Sequence, residues 1–95
     1  MGQPAVADRE SMSAEVTLYT TRFCPYCVRA KQLLTAKGID FQEIAVDAEP
    51  QRRREMTERS GRRTVPQIWI GERHVGGCDE LYDLERRGQL DALLA

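Results

Sequence analysis

The sequence predicts one small α/β domain. Its 95 residues suffice for a single hydrophobic core and leave no room for a second. Turn signals divide the chain into segments that read strand, helix, strand, helix, strand, strand and helix. The first strand–helix junction also holds two of the three cysteines, as Cys24-Pro25-Tyr26-Cys27.

Composition narrows the setting. A formal net charge of -1 supplies no global pull toward nucleic acid or a membrane surface. No apolar run approaches the roughly 20 residues that span a bilayer. Residues 1–14 lack a basic stretch followed by an apolar one. They read as a flexible polar leader rather than a secretory signal, with the domain itself at residues 15–95. An odd number of cysteines, two of them closely spaced, fits a reducing compartment, and the expected location is the cytoplasm.

Val16 to Thr20 is rich in β-branched and aromatic residues and predicts the first strand. After a short loop, Pro25 to Lys37 predicts a helix. Cys27, Ala30, Leu33 and Leu34 share one face at helical spacing, proline suits the first turn, and Gly38 supplies the stop. Phe41 to Val46 alternates loosely and predicts a second strand, parallel to the first because a helix connects the two. Pro50 opens a second helix running to about Ser60, whose apolar face is little more than Met56 and arginine stems. Pro66 to Ile70 predicts the third strand, Gly71-Glu72 a hairpin turn, and Arg73 to Val75 a short fourth strand. Gly76-Gly77 breaks the chain before a helix from Cys78 to about Arg86, with Leu81 and Leu84 facing inward. Gly88 ends that helix, and Leu90, Leu93 and Leu94 make a closing helical turn.

Three segments carry chemistry. Only a thiolate attacks a disulfide, so a working cysteine needs surroundings that favour its ionised form. Cys24 falls at the start of the first helix, where free N–H groups and the helix dipole favour negative charge, and Arg22 is available to add to that field. Cys27 stands one turn on, within reach of a mixed disulfide formed at Cys24, and Pro25 and Tyr26 stiffen the turn between them. The plainer readings are structural cysteines or half of a zinc site. A C-x-x-C between strand and helix favours redox chemistry.

Thr64-Val65-Pro66 places a proline at the head of a strand, where its missing N–H is tolerated. A cis Val65–Pro66 bond would turn the backbone groups of Val65 outward to pair with an extended ligand. Gly76-Gly77-Cys78-Asp79-Glu80 puts glycines, free N–H groups and two acids at one helix start. Such a site suits an α-amino acid end, its carboxylate on the N–H groups and its ammonium on Asp79 and Glu80. An acid-capped helix after a hairpin is the plainer reading.

Together, Tyr19-Thr20, Cys24-Pro25-Tyr26-Cys27, Thr64-Val65-Pro66 and Gly76-Gly77-Cys78-Asp79 resemble a bacterial dithiol glutaredoxin, from Val16 to Leu94 in the same order and spacing. The resemblance implies a thioredoxin-like fold, a four-stranded mixed sheet flanked by helices, with a cis proline at Pro66. It also implies a glutathione-dependent oxidoreductase that reduces protein disulfides and glutathione mixed disulfides. Cys24 would be the nucleophile and Cys27 the resolving thiol. Tyr26 would flank glutathione, Thr64, Val65 and Pro66 would offer backbone to its cysteinyl part, and Gly77, Cys78, Asp79 and Glu80 would hold its γ-glutamyl end. Apart from the resemblance, Arg53 in the arginine-rich stretch reads as a partner for its glycyl carboxylate, since guanidinium groups pair well with carboxylates. Glutathione is then the reductant, no metal is expected, and ribonucleotide reductase is a family substrate beside other disulfide-bearing or glutathionylated proteins. Neither nucleic acid nor membrane is an expected partner, and the chain is expected to act as a monomer.

Two positions depart from the family pattern. Thr21 stands where a lysine is frequent, with Arg22 next to it as the substitute charge, and Glu80 stands where aspartate is frequent. Cys78 reads as a buried small hydrophobe or as a modifiable thiol. Arg52, Arg53, Arg54, Arg59, Arg62 and Arg63 read as a solvated helix face or as a local positive patch. Two other functions compete. Cys24, Cys27, His74 and Cys78 compose a Cys3His donor set, with a shared iron–sulfur cluster as a related option that Pro25 disfavours. A relative of the same fold fed by a thioredoxin reductase is the other.

Overall fold

In the computed structural model, which describes residues 14–94, the chain runs β1 (Val16–Thr20), α1 (Pro25–Ala36), β2 (Gln42–Ala45), α2 (Pro50–Ser60), β3 (Gln67–Ile70), β4 (Arg73–Gly76), α3 (Cys78–Arg86) and α4 (Leu90–Leu94). The leader read from the sequence lies outside the described residues except for Ala14, whose N–H donates to the Leu94 carbonyl at 3.0 Å. The strands form one sheet in the order β2-β1-β3-β4. β1 pairs with β2 in parallel and with β3 antiparallel, and β4 closes the sheet as an antiparallel hairpin partner of β3. This is the expected mixed four-stranded sheet.

Alternation along the strands sends side chains to two faces. Val16 and Leu18 of β1 lie opposite Ile70 and Ile68 of β3 and share one face. Ala30 and Leu34 of α1, Leu81 of α3, and Leu90 and Leu94 of α4 complete the main core against them. Full burial of each of these valine, leucine and isoleucine side chains contributes about 1.5–3 kcal/mol. The opposite face gathers Tyr19, Val46, Met56 and Trp69.

Only Met56 of α2 is buried, as its thin apolar face predicts. Polar groups reinforce the attachment. The Tyr19 hydroxyl donates to the Glu55 carboxylate and accepts from Arg59 at 2.8 Å. The Arg59 guanidinium also sits 4.3 Å from the centre of the Trp69 ring.

Several boundaries shift by a residue or so for local reasons. β3 begins at Gln67, because Pro66 has no N–H to give the ladder. α1 stops at Ala36 with Lys37 as its cap, and Gly38 takes the left-handed turn at φ 73°. β4 reaches Gly76, but its register against β3 jumps from Trp69↔His74 to Ile68↔Gly76, a bulge at Val75. Gly76 has φ 116°, a conformation that favours glycine, and so the chain turns into α3 beside Pro66.

Candidate active site

Cys24 is the N-cap of α1, in extended conformation with Pro25 behind it. Its Sγ accepts the Cys27 N–H at 3.1 Å and lies 3.8 Å from the Val65 carbonyl oxygen. A helix-start N–H aimed at the sulfur stabilises negative charge there. Cys27 is 1% exposed. Burial first, and then its hydrogen bond with Cys24, push its thiol up to about 12. One sulfur, on a residue 9% exposed, thus receives a helix N–H, while the other is more deeply buried and held as a thiol. No disulfide links them.

A groove of about 220 Å3 opens beside Val65. Tyr26, Thr64, Val65 and Pro66 line it together with Gly77, Cys78, Asp79 and Glu80. The Val65–Pro66 bond is cis, as the strand-head proline suggested. Eight of the residues singled out from the sequence therefore converge on one surface next to the Cys24 sulfur.

Arg22 and Arg53 lie apart from that groove. The Arg22 backbone N–H donates to Asp47 at 3.1 Å and its Nε to the same oxygen at 3.5 Å, and these contacts hold the Asp47 carboxyl below its usual range. Arg53 donates to the Arg63 carbonyl at 2.9 Å and lines a separate cavity.

The two acids of α3 differ. Glu80 accepts the Gly77 N–H at 2.6 Å and stands 3.7 Å from Arg62, so its carboxylate caps its own helix. Among the described residues Asp79 makes no ion pair and is exposed to the groove. Cys78 is buried, and that burial raises its thiol.

His74 is held by Gln67 and Trp69. Its Nε2 donates to Gln67 Oε1 at 2.7 Å, and its ring lies against Trp69 with centroids 4.7 Å apart. Burial, then nearby Arg62, lowers its pKa. Among the described residues no three His, Cys, Asp or Glu side chains are disposed around a common metal position.

The groove also holds Gln67 and Arg62, which the sequence reading did not assign to the pocket. Gln67 is fully buried, and its amide donates to the Thr64 carbonyl at 3.0 Å and the Thr64 hydroxyl at 3.2 Å. It fixes the residue that precedes Val65. Its signal was a single polar side chain in the otherwise apolar run Pro-Gln-Ile-Trp-Ile.

Comparison with known proteins is consistent with this geometry. The family described as Glutaredoxin matches residues 16–75. A glutaredoxin of Pseudomonas aeruginosa is 65% identical over 80 residues, covering 84% of this chain and 95% of its own. The solution structure of glutaredoxin from Brucella melitensis superposes with a TM-score of 0.79 at 58% identity, over 87% of this chain and 90% of that one. A buckwheat glutaredoxin–glutathione complex superposes with a TM-score of 0.80 at 31% identity, over 95% of this chain and 84% of that one. The fold is thioredoxin-like.

Proposed function

This chain belongs to the glutaredoxin family of thiol oxidoreductases, and from that premise we propose that it reduces glutathione mixed disulfides and protein disulfides at the expense of glutathione. The observation that carries the proposal is the Cys24 sulfur, set on the Cys27 N–H at the mouth of a groove built from the Thr64–Pro66 and Gly77–Asp79 segments.

The Cys24 thiolate attacks one sulfur of the substrate disulfide. A new S–S bond forms, the old one breaks, and the leaving thiolate takes up a proton. Two routes then release the product. Cys27 gives up its proton and displaces the bound thiol, leaving a Cys24–Cys27 disulfide that two glutathione molecules reduce to glutathione disulfide. Alternatively the bound thiol is glutathione, and a second glutathione displaces it directly.

Thr64 and Val65 pair with the cysteinyl backbone of glutathione, and Tyr26 flanks it. Gly77, Cys78 and Asp79 take the γ-glutamyl end, with Glu80 supporting them by capping α3. Arg53 takes the glycyl carboxylate, and Arg22 supplies positive charge near the sulfur. The solved complex of a buckwheat glutaredoxin with glutathione supports this choice of reductant. Protein substrates are disulfide-bearing or glutathionylated proteins, with ribonucleotide reductase the first to try, and the setting is the cytoplasm. No helix of the described residues is long and apolar enough to cross a membrane.

The test is turnover of a small glutathione mixed disulfide, coupled to glutathione reductase and NADPH. Wild type and Cys27→Ser are expected to turn over, and Cys24→Ser to be inactive. A folded, reduced wild type without turnover would remove glutathione as the reductant.

A further inference from the structure

His74 is the single histidine of the chain and does not line the groove, yet it ends a chain of hydrogen bonds that runs into it. Sheet register puts Gln67, Trp69 and His74 on one face. Gln67 and Trp69 stand two residues apart on β3, and His74 of β4 lies opposite Trp69. The imidazole packs against the Trp69 indole, and its Nε2 is 2.7 Å from Gln67 Oε1. Gln67 Nε2 in turn reaches the Thr64 carbonyl at 3.0 Å and the Thr64 hydroxyl at 3.2 Å. Val65 comes next, with its carbonyl oxygen 3.8 Å from Cys24 Sγ.

The direction of this chain is fixed at its inner end. A carbonyl oxygen only accepts, so the Gln67 amide presents its nitrogen to Thr64 and its oxygen to His74. The imidazole Nε2 therefore carries a hydrogen and donates, in the neutral ring and in the charged one alike. Gln67 is fully buried, and a buried polar atom left without its partner costs more than an ordinary hydrogen bond contributes. Turning the amide over would set its oxygen against the Thr64 carbonyl oxygen. Loss of the His74 donor therefore leaves Gln67 no equivalent arrangement and loosens its hold on Thr64.

We propose that His74 is a positioning residue for glutathione: by donating to Gln67 it holds the Thr64–Val65 backbone in the arrangement that pairs with the cysteinyl part of the ligand. The inference rests on the glutathione reading above and adds to it a residue outside the groove, on the β3–β4 hairpin. It also accounts for a polar pair on the sheet face otherwise filled by Tyr19, Val46, Met56 and Trp69.

The experiment measures the affinity of the full, reduced chain for S-methylglutathione, which cannot exchange thiols, by amide-resolved NMR. His74→Phe keeps a ring against Trp69 and lacks the donor. His74→Gln loses the ring but restores a donor, because its amide nitrogen stands as many bonds from Cα as the imidazole Nε2. His74→Phe is expected to bind about tenfold more weakly, toward the lower end for an unpaired buried acceptor, and to shift the Thr64 and Val65 amides before ligand is added. His74→Gln should recover to within about threefold of wild type. Glu43→Gln, which weakens the fold away from the groove, should stay within about twofold. In turnover the loss in His74→Phe should fall on KM with kcat held, because Cys24 keeps its N–H. Wild-type affinity in His74→Phe, a His74→Gln no better than His74→Phe, or an equal loss in Glu43→Gln overturns the inference. Wild-type turnover of the small mixed disulfide tests the redox reading by itself, since the affinity comparison needs no reaction.

Discussion

Cys24 and Cys27 are one helical turn apart and chemically unlike. Cys24 receives an N–H from the start of α1, whereas Cys27 is buried and its thiol is pushed up to about 12. At pH 8 a thiol of that kind is ionised on the order of a thousandfold less than an ordinary free cysteine. Reduced protein treated with iodoacetamide should therefore take up label at Cys24 first, with Cys27 slower by orders of magnitude. The Cys24→Ser variant should keep Cys27 unreactive, since burial is the leading cause of its raised pKa. Peptide mass spectrometry over a time course reads both sites, and comparable labelling of the two would show that the asymmetry is absent in solution. The spacing of the pair was legible in the sequence because helical periodicity alone places the two sulfurs near each other. Glu80 was not, because an acid that caps a helix and an acid that binds an ammonium group look alike in the chain. The positive φ of Gly76 and the close approach of its position to the Glu80 carboxylate set that geometry, and neither is written in a local pattern.

The crossover element α1 is fastened to the sheet partly through charge. Lys31 on α1 donates to Glu43 of β2 at 2.9 Å, and the Thr20 hydroxyl of β1 donates to the same oxygen at 2.7 Å. These contacts, Lys31 first, hold the Glu43 carboxyl below its usual range. A carboxylate with a depressed folded pKa stabilises the fold above its unfolded value of about 4.3. That contribution is lost as pH falls through the folded value. Glu43→Gln should cost about 0.5–1 kcal/mol at pH 7, a modest figure because the pair is partly exposed. The difference from wild type should close as the pH drops below about 4. Urea midpoints at several pH values measure this, and a gap that persists undiminished to low pH would assign the effect to packing. Elements were legible where periodicity is strong, as in β1 and α1. They were less so where long-range partners set the limits. The attachment of α2 depends on Tyr19 meeting Glu55 and Arg59, residues 36 and 40 positions away, and no local pattern announces that. β2, on the edge of the sheet, keeps only the residues that pair with β1.

Across the whole molecule the two faces of the sheet are unequally covered. One is packed by α1, α3 and α4 around Leu18, Leu34, Ile68 and Leu81. The other is covered by α2, whose single buried side chain is Met56. That same helix carries Arg53 and leads into Thr64 and Val65, so the less firmly held side is also one flank of the site. Free energies of local opening are lowest where buried apolar contacts are few. Leu34→Ala should lower global stability by about 2–5 kcal/mol and shift every probe of unfolding together. Met56→Ala removes a comparable side chain, but its loss should appear first as local opening of α2. Native-state hydrogen exchange separates the two cases. In Met56→Ala the α2 amides should exchange about thirtyfold faster, the factor for roughly 2 kcal/mol, while β1 and β3 amides change less. Equal acceleration in the helix and the central strands would mean that α2 opens only with the whole domain, and the site would then be as rigid as the core behind it.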